Sequence, residues 1–212
     1  MLEEDDFEDE APLVRGRGSR DQTIVDQEVE EMLDRAETAG APPEFMTDER
    51  VAVYNHHDVW RVELGADPPA AVLAMEVRLT NPEATPRRSF RARPLAPLQK
   101  EFLDRHVEVL LETGVLEHSQ SSYVSPVVLA RKPDDSWRMY INLRHVNSLT
   151  CPMKFPLPRI NELLMNLGGA RVFIASFDLM KGFWQFPLHP NSKHLLAFAT
   201  HRGRYQFTRV VM

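Results

Sequence analysis

The stretch Val172-Phe-Ile-Ala-Ser-Phe177-Asp178 is an uncharged, mainly apolar run that ends on a carboxylate. Such a run is typical of a strand buried on both faces of a sheet. Asp178 then lies at the exposed end of that strand, where α/β proteins usually place ligand-binding groups. Because Mg²⁺ prefers oxygen ligands, Asp178 is a candidate metal ligand. The alternative role is that of a turn former or helix N-cap.

The residues on either side of this run predict helices and short strands in alternation. Apolar residues at helical spacing predict a helix that Gly114 ends. Its inward face is Leu98, Phe102, Leu103, Val107 and Leu110. Pro158 is placed to begin a second helix, which Gly168-Gly169 ends. Its inward face is Ile160, Leu163, Leu164 and Leu167. Two strand-like pieces follow, Leu195–Thr200 and Tyr205–Val211, so the pattern predicts an α+β fold.

Residues 126–143 predict a β-hairpin, with Pro133-Asp-Asp-Ser136 as its turn. If Asp134-Asp135 form the turn, Arg131 lies opposite Arg138 and Lys132 lies opposite Trp137. Like charges directly across a ladder are destabilising unless an anion lies between them. Two guanidinium groups are good partners for phosphate oxygens, so the hairpin is a candidate phosphate site. The alternative is a solvated charged hairpin.

The N-terminal part of the chain has a different composition. Residues 1–20 carry seven carboxylates in their first ten positions and little to bury, so we expect them to be disordered. Apolar spacing predicts a helix over Gln22–Glu37. Strand-like stretches follow around Asp58–Leu64 and Ala71–Leu79, and the proline-rich stretch from Asn81 to Pro97 predicts an extended connector.

Charge divides the chain into two parts. Residues 1–86 hold 22 acidic and 7 basic side chains, whereas residues 87–212 hold 9 acidic and 18 basic ones. The sign change predicts an acidic arm joined to a basic module. A basic module has the electrostatic character of a polyanion binder, although a solvated basic surface is the alternative.

Several classes of protein are excluded by composition. The chain has one cysteine, Cys151, which leaves no internal disulfide and no cysteine-based metal site. The longest apolar stretch, Val124–Ala130, is too short to span a bilayer, and the N-terminus is acidic rather than cationic like a signal peptide. We therefore expect an intracellular protein, cytoplasmic or nuclear, with no membrane partner. We expect all eight histidines on the surface.

The stretch Phe177-Asp178-Leu179-Met180-Lys181-Gly182-Phe183-Trp184-Gln185 resembles the first catalytic motif of reverse transcriptases from gypsy-type LTR retrotransposons and retroviruses. That motif has an apolar residue, Asp, an aliphatic residue, two variable positions, Gly or Ala, an aromatic residue, a variable position and often Gln. Other fragments resemble the family in the same order along the chain. They are Ser121–Pro126, Ser136–Met139, Arg144–Asn147 and Phe155–Ile160. The resemblance covers residues 87–212, and it is weaker back through Trp60–Pro69.

The resemblance implies an RNA-directed DNA polymerase that binds an RNA or DNA primer–template and deoxynucleotides. Asp178 would bind the catalytic Mg²⁺, with the backbone carbonyl of Leu179 as a further ligand. Phe183 would lie beneath the incoming sugar and exclude a 2′-hydroxyl, because a rigid apolar ring can neither yield to it nor hydrogen-bond it. The basic residues of the fingers hairpin, Arg131, Lys132 and Arg138, would hold the triphosphate. Core packing is the alternative for Phe183 and the preferred interpretation for Trp184.

The resemblance also implies a domain organisation. We expect a disordered acidic N-terminus over 1–20, an acidic connector with one helix and short strands over 21–86, and a partial reverse transcriptase domain over 87–212. That domain would contain the fingers and the first half of the palm. Asn142 stands where the family usually has Asp, so a charge role there is in doubt.

Met212 falls where the family's next motif would begin. The second catalytic motif, an aspartate pair, would then be missing, and one half of the two-metal site would be present. We therefore expect the 212 residues alone to be inactive. Two other functions stay open, a non-catalytic nucleic-acid-binding remnant and a protein-interaction module. The sequence does not set the oligomeric state.

Overall fold

The structure is a computed structural model that describes residues 22–56, 60, 65–84, 94–133, 135–153, 156–157, 159–167 and 181–211. The predicted buried strand Val172–Phe177 lies outside these residues. So do the predicted disordered tail and most of the strand-like stretch around Asp58–Leu64. Among the described residues, no helix is long and apolar enough to cross a membrane.

A five-stranded mixed sheet forms the centre of the fold. The strands are β1 (Leu116–His118), β2 (Ser125–Arg131), β3 (Trp137–Ile141), β4 (Phe198–Ala199) and β5 (Arg204–Phe207). Their order is β1-β5-β4-β2-β3, with β2 and β4 parallel and the other pairs antiparallel. The predicted α+β class and hairpin are confirmed. Because parallel neighbours need a crossover, residues 132–197 connect β2 to β4, and that crossover carries the predicted site.

Helix α3 (Pro97–Glu112) packs its apolar face against the sheet. Pro97 occupies its first turn, the Ala96 N–H donates to Gln99 Oε1 at 2.9 Å, and Gly114 beyond its end has φ +72°. The predicted helix is confirmed, with Leu103, Val107 and Leu110 buried in one cluster with apolar residues of the sheet.

Two side chains of α3 do not lie where the sequence predicted. Leu98 was expected on the inward face but is exposed, because it lies in the first turn, beyond the edge of the buried face. His106 was expected on the surface with the other histidines but is buried, and it stacks on Phe102 with ring centroids 5.4 Å apart. The i, i+4 spacing of these two rings on one helix face brings them together.

The N-terminal helix is confirmed as α1 (Gln22–Thr38), and a second helix, α2 (Pro43–Asn55), packs against it. The two helices share an apolar cluster of Val25, Val29, Leu33, Met46 and Val53. The prediction of a single helix in this part was wrong. The signal of α2 was weak because its two buried residues, Met46 and Val53, lie two turns apart with polar residues between them.

Polar contacts add to this helix pair. The Tyr54 hydroxyl and the Arg50 guanidinium both donate to Glu30 of α1. These two bonds stabilise the carboxylate, so they lower the pKa of Glu30, and the bond to Glu30 raises the pKa of Tyr54. Arg50 also lies 3.5 Å from Asp34 and 3.6 Å from Glu37, so it partly neutralises the acidic face of α1.

Residues 65–84, here called the strap, run over the surface of the sheet unit. The predicted strand Ala71–Leu79 is not a regular strand, because it pairs with two different elements at single positions. Met75 bridges to Leu188, and Leu79 bridges to Thr150. Its side chains nevertheless pack into a cluster with Tyr123, Val146 and Leu188.

The crossover contains the remaining short elements. They are α4 (Arg144–Leu149), α5 (Ile160–Leu167), a 3₁₀ turn over Gly182–Gln185, α6 (Pro190–Lys193) and a 3₁₀ turn over His194–Leu196. Helix α5 is present as predicted, but its inward orientation was wrong, because the described residues do not cover its apolar face. Ile160, Leu163 and Leu164 are 74%, 47% and 59% exposed.

Candidate functional site

The hairpin of β2 and β3 has a different register from the predicted one. Arg131 pairs with Trp137, and Ala130 pairs with Arg138. The Lys132 N–H donates to the Ser136 carbonyl at 2.9 Å, and the Asp135 N–H donates to the Lys132 carbonyl at 3.0 Å. The loop is therefore three residues long, Pro133 to Asp135, rather than the two-residue Asp134-Asp135 turn that was predicted.

The extra loop residue has a local cause. Asp135 has φ +65°, in the left-handed region. A turn followed by a left-handed residue is a common three-residue hairpin loop, and Asp tolerates that conformation better than most residues. A shift of one residue in register changes which side chains share a face of the hairpin.

The predicted pairing of Arg131 with Arg138 is therefore wrong. Cross-strand partners share a face of a sheet and successive residues alternate, so Arg131 and Arg138 lie on opposite faces. The argument that an anion must separate two opposed arginines no longer applies. By the same alternation, Lys132 follows Arg131 onto the face of Arg138. Lys132, one residue beyond β2, is therefore expected on the same side of the hairpin as Arg138.

The two arginines have different surroundings. The Arg131 guanidinium lies 5.7 Å from the centroid of the Trp137 ring and 3.2 Å from the carboxylate of Asp135. Arg138 is half-buried and donates to the Tyr140 hydroxyl at 3.3 Å. Tyr140 lies two residues along β3, on the same face as Arg138. The Arg138 face therefore carries a cation beside an aromatic hydroxyl, and Arg131 on the opposite face stacks on Trp137 and pairs with Asp135.

A groove of about 410 Å³ lies beside the hairpin, between the chain entering β2 and helix α4. Its lining residues are Tyr123, Val124, Ser125, Pro126, Asn142, Arg144, His145, Val146 and Ser148. Asn142 shapes this wall, since its N–H donates to the Pro126 carbonyl at 3.0 Å and its Oδ1 accepts the Arg144 N–H at 3.3 Å. An amide oxygen can accept that bond as a carboxylate would, so the local structure needs no charge at residue 142.

The sequence analysis did not assign this groove. Its residues were recognised as fragments resembling a family, Ser121–Pro126 and Arg144–Asn147, but no pattern brought the two fragments together. The structure does so because β2 leads out of the first fragment and the hairpin returns the chain to the second. The signal that could have revealed the groove is the hairpin itself, since its two ends must lie side by side.

Phe183 lies on the 3₁₀ turn Gly182–Gln185, and its side chain is 52% exposed. Core packing, its alternative role, does not hold for this ring. Trp184 is half-buried and packs against the main core, which is the role that the sequence analysis preferred for it. The Lys181 ammonium lies 5.7 Å from the centroid of the Trp184 ring. The turn begins at Lys181 with φ +51°. This geometry buries Trp184 and presents Phe183 to solvent.

Asp178 and Leu179, the predicted metal ligands, lie outside the described residues. Within the described residues, no cluster of three or more His, Cys, Asp or Glu side chains could hold a metal ion. The donor set proposed from the sequence is a carboxylate and a backbone carbonyl. Both are hard oxygen ligands of the kind that Mg²⁺ takes, and substrate phosphates and water usually complete its shell.

Comparison with known families identifies this region. Residues 130–212 match the family described as reverse transcriptase (RNA-dependent DNA polymerase). This part of the chain is therefore similar in sequence to reverse transcriptases. The match includes the hairpin cations, α4, Asp178 and Phe183.

Relatives in sequence are retroelement polyproteins. The chain is 34% identical over 141 residues to the retrovirus-related Pol polyprotein from transposon 412 of Drosophila melanogaster. It is 32% identical over 126 residues to that from transposon gypsy of the same organism, and 31% identical over 131 residues to the enzymatic polyprotein of cauliflower mosaic virus. These alignments cover 64%, 57% and 59% of the chain but 11%, 12% and 19% of the relatives. The chain thus spans between a tenth and a fifth of the length of these polyproteins.

Similar solved structures show the same fold. The chain is similar to the protease-reverse transcriptase of prototype foamy virus, with a TM-score of 0.68 and 21% identity. It is also similar to foamy viral protease-reverse transcriptase in complex with an RNA/DNA hybrid, with a TM-score of 0.68 and 18% identity. Each comparison covers 87% of this chain and 24% of the other. The predicted α+β fold of the reverse transcriptase type is confirmed.

Proposed function

We propose that the chain supplies the fingers and the first part of the palm of an RNA-directed DNA polymerase, with residues 87–212 as its partial reverse transcriptase domain. The observation that carries the proposal is the family match over residues 130–212. That range contains Lys132, Arg138, the groove wall at α4, the Phe183 turn and Asp178. These elements would serve one nucleotidyl-transfer site.

In this proposal the hairpin face binds the triphosphate of the incoming deoxynucleotide. Lys132 and Arg138 offer two cations on one face, and charge-assisted bonds to phosphate oxygens are stronger than neutral ones. Arg131, also a predicted ligand, would contribute less because it lies on the opposite face of the hairpin from Arg138. The exposed ring of Phe183 would lie beneath the sugar and exclude a 2′-hydroxyl by its bulk.

Asp178 and the Leu179 carbonyl would hold Mg²⁺, which when bound neutralises charge that develops on the transferring phosphoryl group. The remaining work of the protein is positioning, which can supply much of the rate of such reactions. Asp178 is the only carboxylate of this sequence that matches the family's catalytic motif. Two-metal chemistry needs several carboxylates, so the 212 residues alone are expected not to extend a primer.

The groove beside α4 would take a nucleic-acid strand. Arg144 is exposed at its rim, and Asn142 and Ser148 line it with hydrogen-bonding groups. Foamy viral protease-reverse transcriptase was solved in complex with an RNA/DNA hybrid and with double-stranded DNA. We propose that this chain also binds such duplexes, through its basic residues 87–212.

Binding to a labelled RNA/DNA hybrid tests the proposed function. We expect the full chain to bind, and the logarithm of the affinity to fall linearly with the logarithm of the salt concentration because phosphate neutralisation releases counterions. Fluorescence anisotropy at salt concentrations between about 50 and 200 mM measures the slope. An Arg144→Gln variant should bind more weakly with a shallower slope. Binding that ignores salt, or no binding at all, contradicts the proposal.

The hairpin register predicts an order of effects on nucleotide binding. Arg138→Ala and Lys132→Ala should each weaken deoxynucleotide binding by about 1.5–3 kcal/mol, the usual contribution of a hydrogen bond to a charged group. Arg131→Ala is the matched control, since it removes a cation from the opposite face and should cost less. Isothermal calorimetry in the presence of a primer–template measures the three affinities. If Arg131→Ala has the largest effect, the assignment of the Arg138 face is wrong.

A further inference from the structure

The strap contacts the segment that carries Phe183 at a series of points. The Ala70 N–H donates to the Gln185 carbonyl at 2.8 Å. Met75 forms two bonds, donating to the Pro187 carbonyl and accepting from the His189 N–H, both at 2.9 Å. These bonds hold the chain immediately after the 3₁₀ turn, so they fix where Phe183 is presented.

Two side chains add anchors to the same segment. The Val77 N–H donates to the hydroxyl of Ser192 at 2.8 Å, and Ser192 is 1% exposed. Arg209, which bridges to Pro187, donates through Nη2 to the Asp67 carbonyl at 2.9 Å. Burial lowers the pKa of Arg209, because desolvation disfavours its charged form. Placing a cation in this partly buried position is costly, and its bond to the strap offsets that cost.

The other half of the strap contacts the wall of the groove. The Thr80 N–H donates to the Leu149 carbonyl, and the Cys151 N–H donates to the Arg78 carbonyl, both at 2.8 Å. The Tyr123 hydroxyl, at the groove, donates to the Ala84 carbonyl. The strap therefore joins the Phe183 turn to the groove with one continuous length of chain.

We propose that the strap is a positioning element for the candidate polymerase site, with Ser192 and Val77 as its positioning residues. This inference rests on the proposed function of the site. Since the incoming base pairs with a template in the groove while its sugar lies on Phe183, the distance between groove and turn sets the reacting geometry. The strap contacts both and adds backbone bonds to the apolar cluster of Tyr123, Val146 and Leu188 that also joins them, so we infer that it helps to fix that distance.

The Val77–Ser192 bond is a point at which the strap can be released by changing one small side chain. The bond joins a backbone donor to a buried hydroxyl, and either partner can be removed separately. Ser192→Ala removes the acceptor, and Val77→Pro removes the donor. Leu73→Ala is the matched control within the strap, because Leu73 is 97% exposed. Leu33→Ala is the control for stability, because it weakens the α1–α2 cluster without contact to the strap.

The distance between turn and groove is measurable by double electron–electron resonance. One spin label is placed on Cys151, the single cysteine of the chain, and the other on a cysteine introduced as Gln185→Cys. We expect one narrow distance distribution for the parent, Leu73→Ala and Leu33→Ala proteins. Ser192→Ala and Val77→Pro should shift or broaden it by at least about 1 Å, the scale at which catalytic positioning is lost. An unchanged distribution overturns the proposal.

Two binding measurements on the unlabelled proteins complete the test. Ser192→Ala should leave the affinity for an RNA/DNA hybrid within about twofold and should weaken deoxynucleotide binding to the hybrid complex at least about tenfold. If both affinities fall together, as they fall in Leu33→Ala, the role of Ser192 is merely structural and the proposal is wrong. If the parent chain binds neither the hybrid nor the deoxynucleotide, the proposed function is wrong. The distances between the two spin labels then still show whether the strap positions the turn.

Discussion

Phe198→Ala is expected to lower the free energy of unfolding by about 3–5 kcal/mol, the usual cost of truncating a buried phenylalanine. Phe198 is fully buried in β4, between β2 and β5. Its ring centroid lies 5.7 Å from that of Tyr205 and 5.4 Å from that of Phe207. Truncation removes these ring contacts and leaves a cavity at β4, which pairs parallel with β2 on one side and antiparallel with β5 on the other.

Phe186→Ala is the matched control, because Phe186 is the same residue type but its ring is exposed. The hydrogen bonds of Phe186 are made by its backbone, so the substitution leaves them in place. Chemical denaturation followed by circular dichroism measures both variants. Phe198→Ala should shift the midpoint strongly without changing the slope, and Phe186→Ala should have a small effect. Equal losses in the two variants would mean that the core is not centred on β4.

The sequence predicted those parts of the fold whose apolar residues repeat with a clear period. Helices α1 and α3 follow such repeats, and glycines with positive φ, Gly40 and Gly114, lie just beyond their ends. The hairpin was predicted because two strand-like runs flank a proline- and aspartate-rich turn. In each case the structure depends on residues that are close together in the sequence, so it could be predicted from the local pattern.

The hairpin register could not be read in the same way. Two-residue and three-residue loops both suit Pro133-Asp-Asp-Ser136, and the choice depends on whether one aspartate takes the left-handed conformation. Asp135 does so, and this single dihedral angle places Arg131 and Arg138 on opposite faces of the hairpin. A site that depends on cross-strand pairs can therefore be predicted from the sequence only if the conformation of the adjacent turn can be predicted too.

The strap was predicted poorly for a different reason. Its order comes from partners more than 60 residues away along the chain, such as Ser192 for Val77 and Leu149 for Thr80. Its own sequence has short alternating runs that indicate a strand, but its partners change along its length, so no ladder forms. Burial of His106 was missed similarly, because the sheet that covers α3 is formed by residues far away in sequence.

Asp178→Asn is expected to remove the metal-dependent chemistry of the proposed polymerase. Replacing the carboxylate with an amide keeps the size of the side chain but removes the negative charge that attracts Mg²⁺. A bound metal contributes several kcal/mol of transition-state stabilisation, so its loss should slow primer extension by about 10³-fold or more. The activity is measured in a chimera in which residues 130–212 replace the matching residues of a related reverse transcriptase, which supplies the remaining metal ligands.

Asp135→Asn in the same chimera is the matched control. It makes the same chemical change in the hairpin loop, where the carboxylate lies 3.2 Å from Arg131 and has no proposed metal role. It should leave extension nearly unchanged, because an exposed ion pair contributes little. Mn²⁺ binding, followed by electron paramagnetic resonance, separates metal loss from misfolding. Asp178→Asn should weaken Mn²⁺ binding while the RNA/DNA hybrid still binds. An Asp178→Asn chimera that extends primers at the parent rate would show that Asp178 is a structural residue after all.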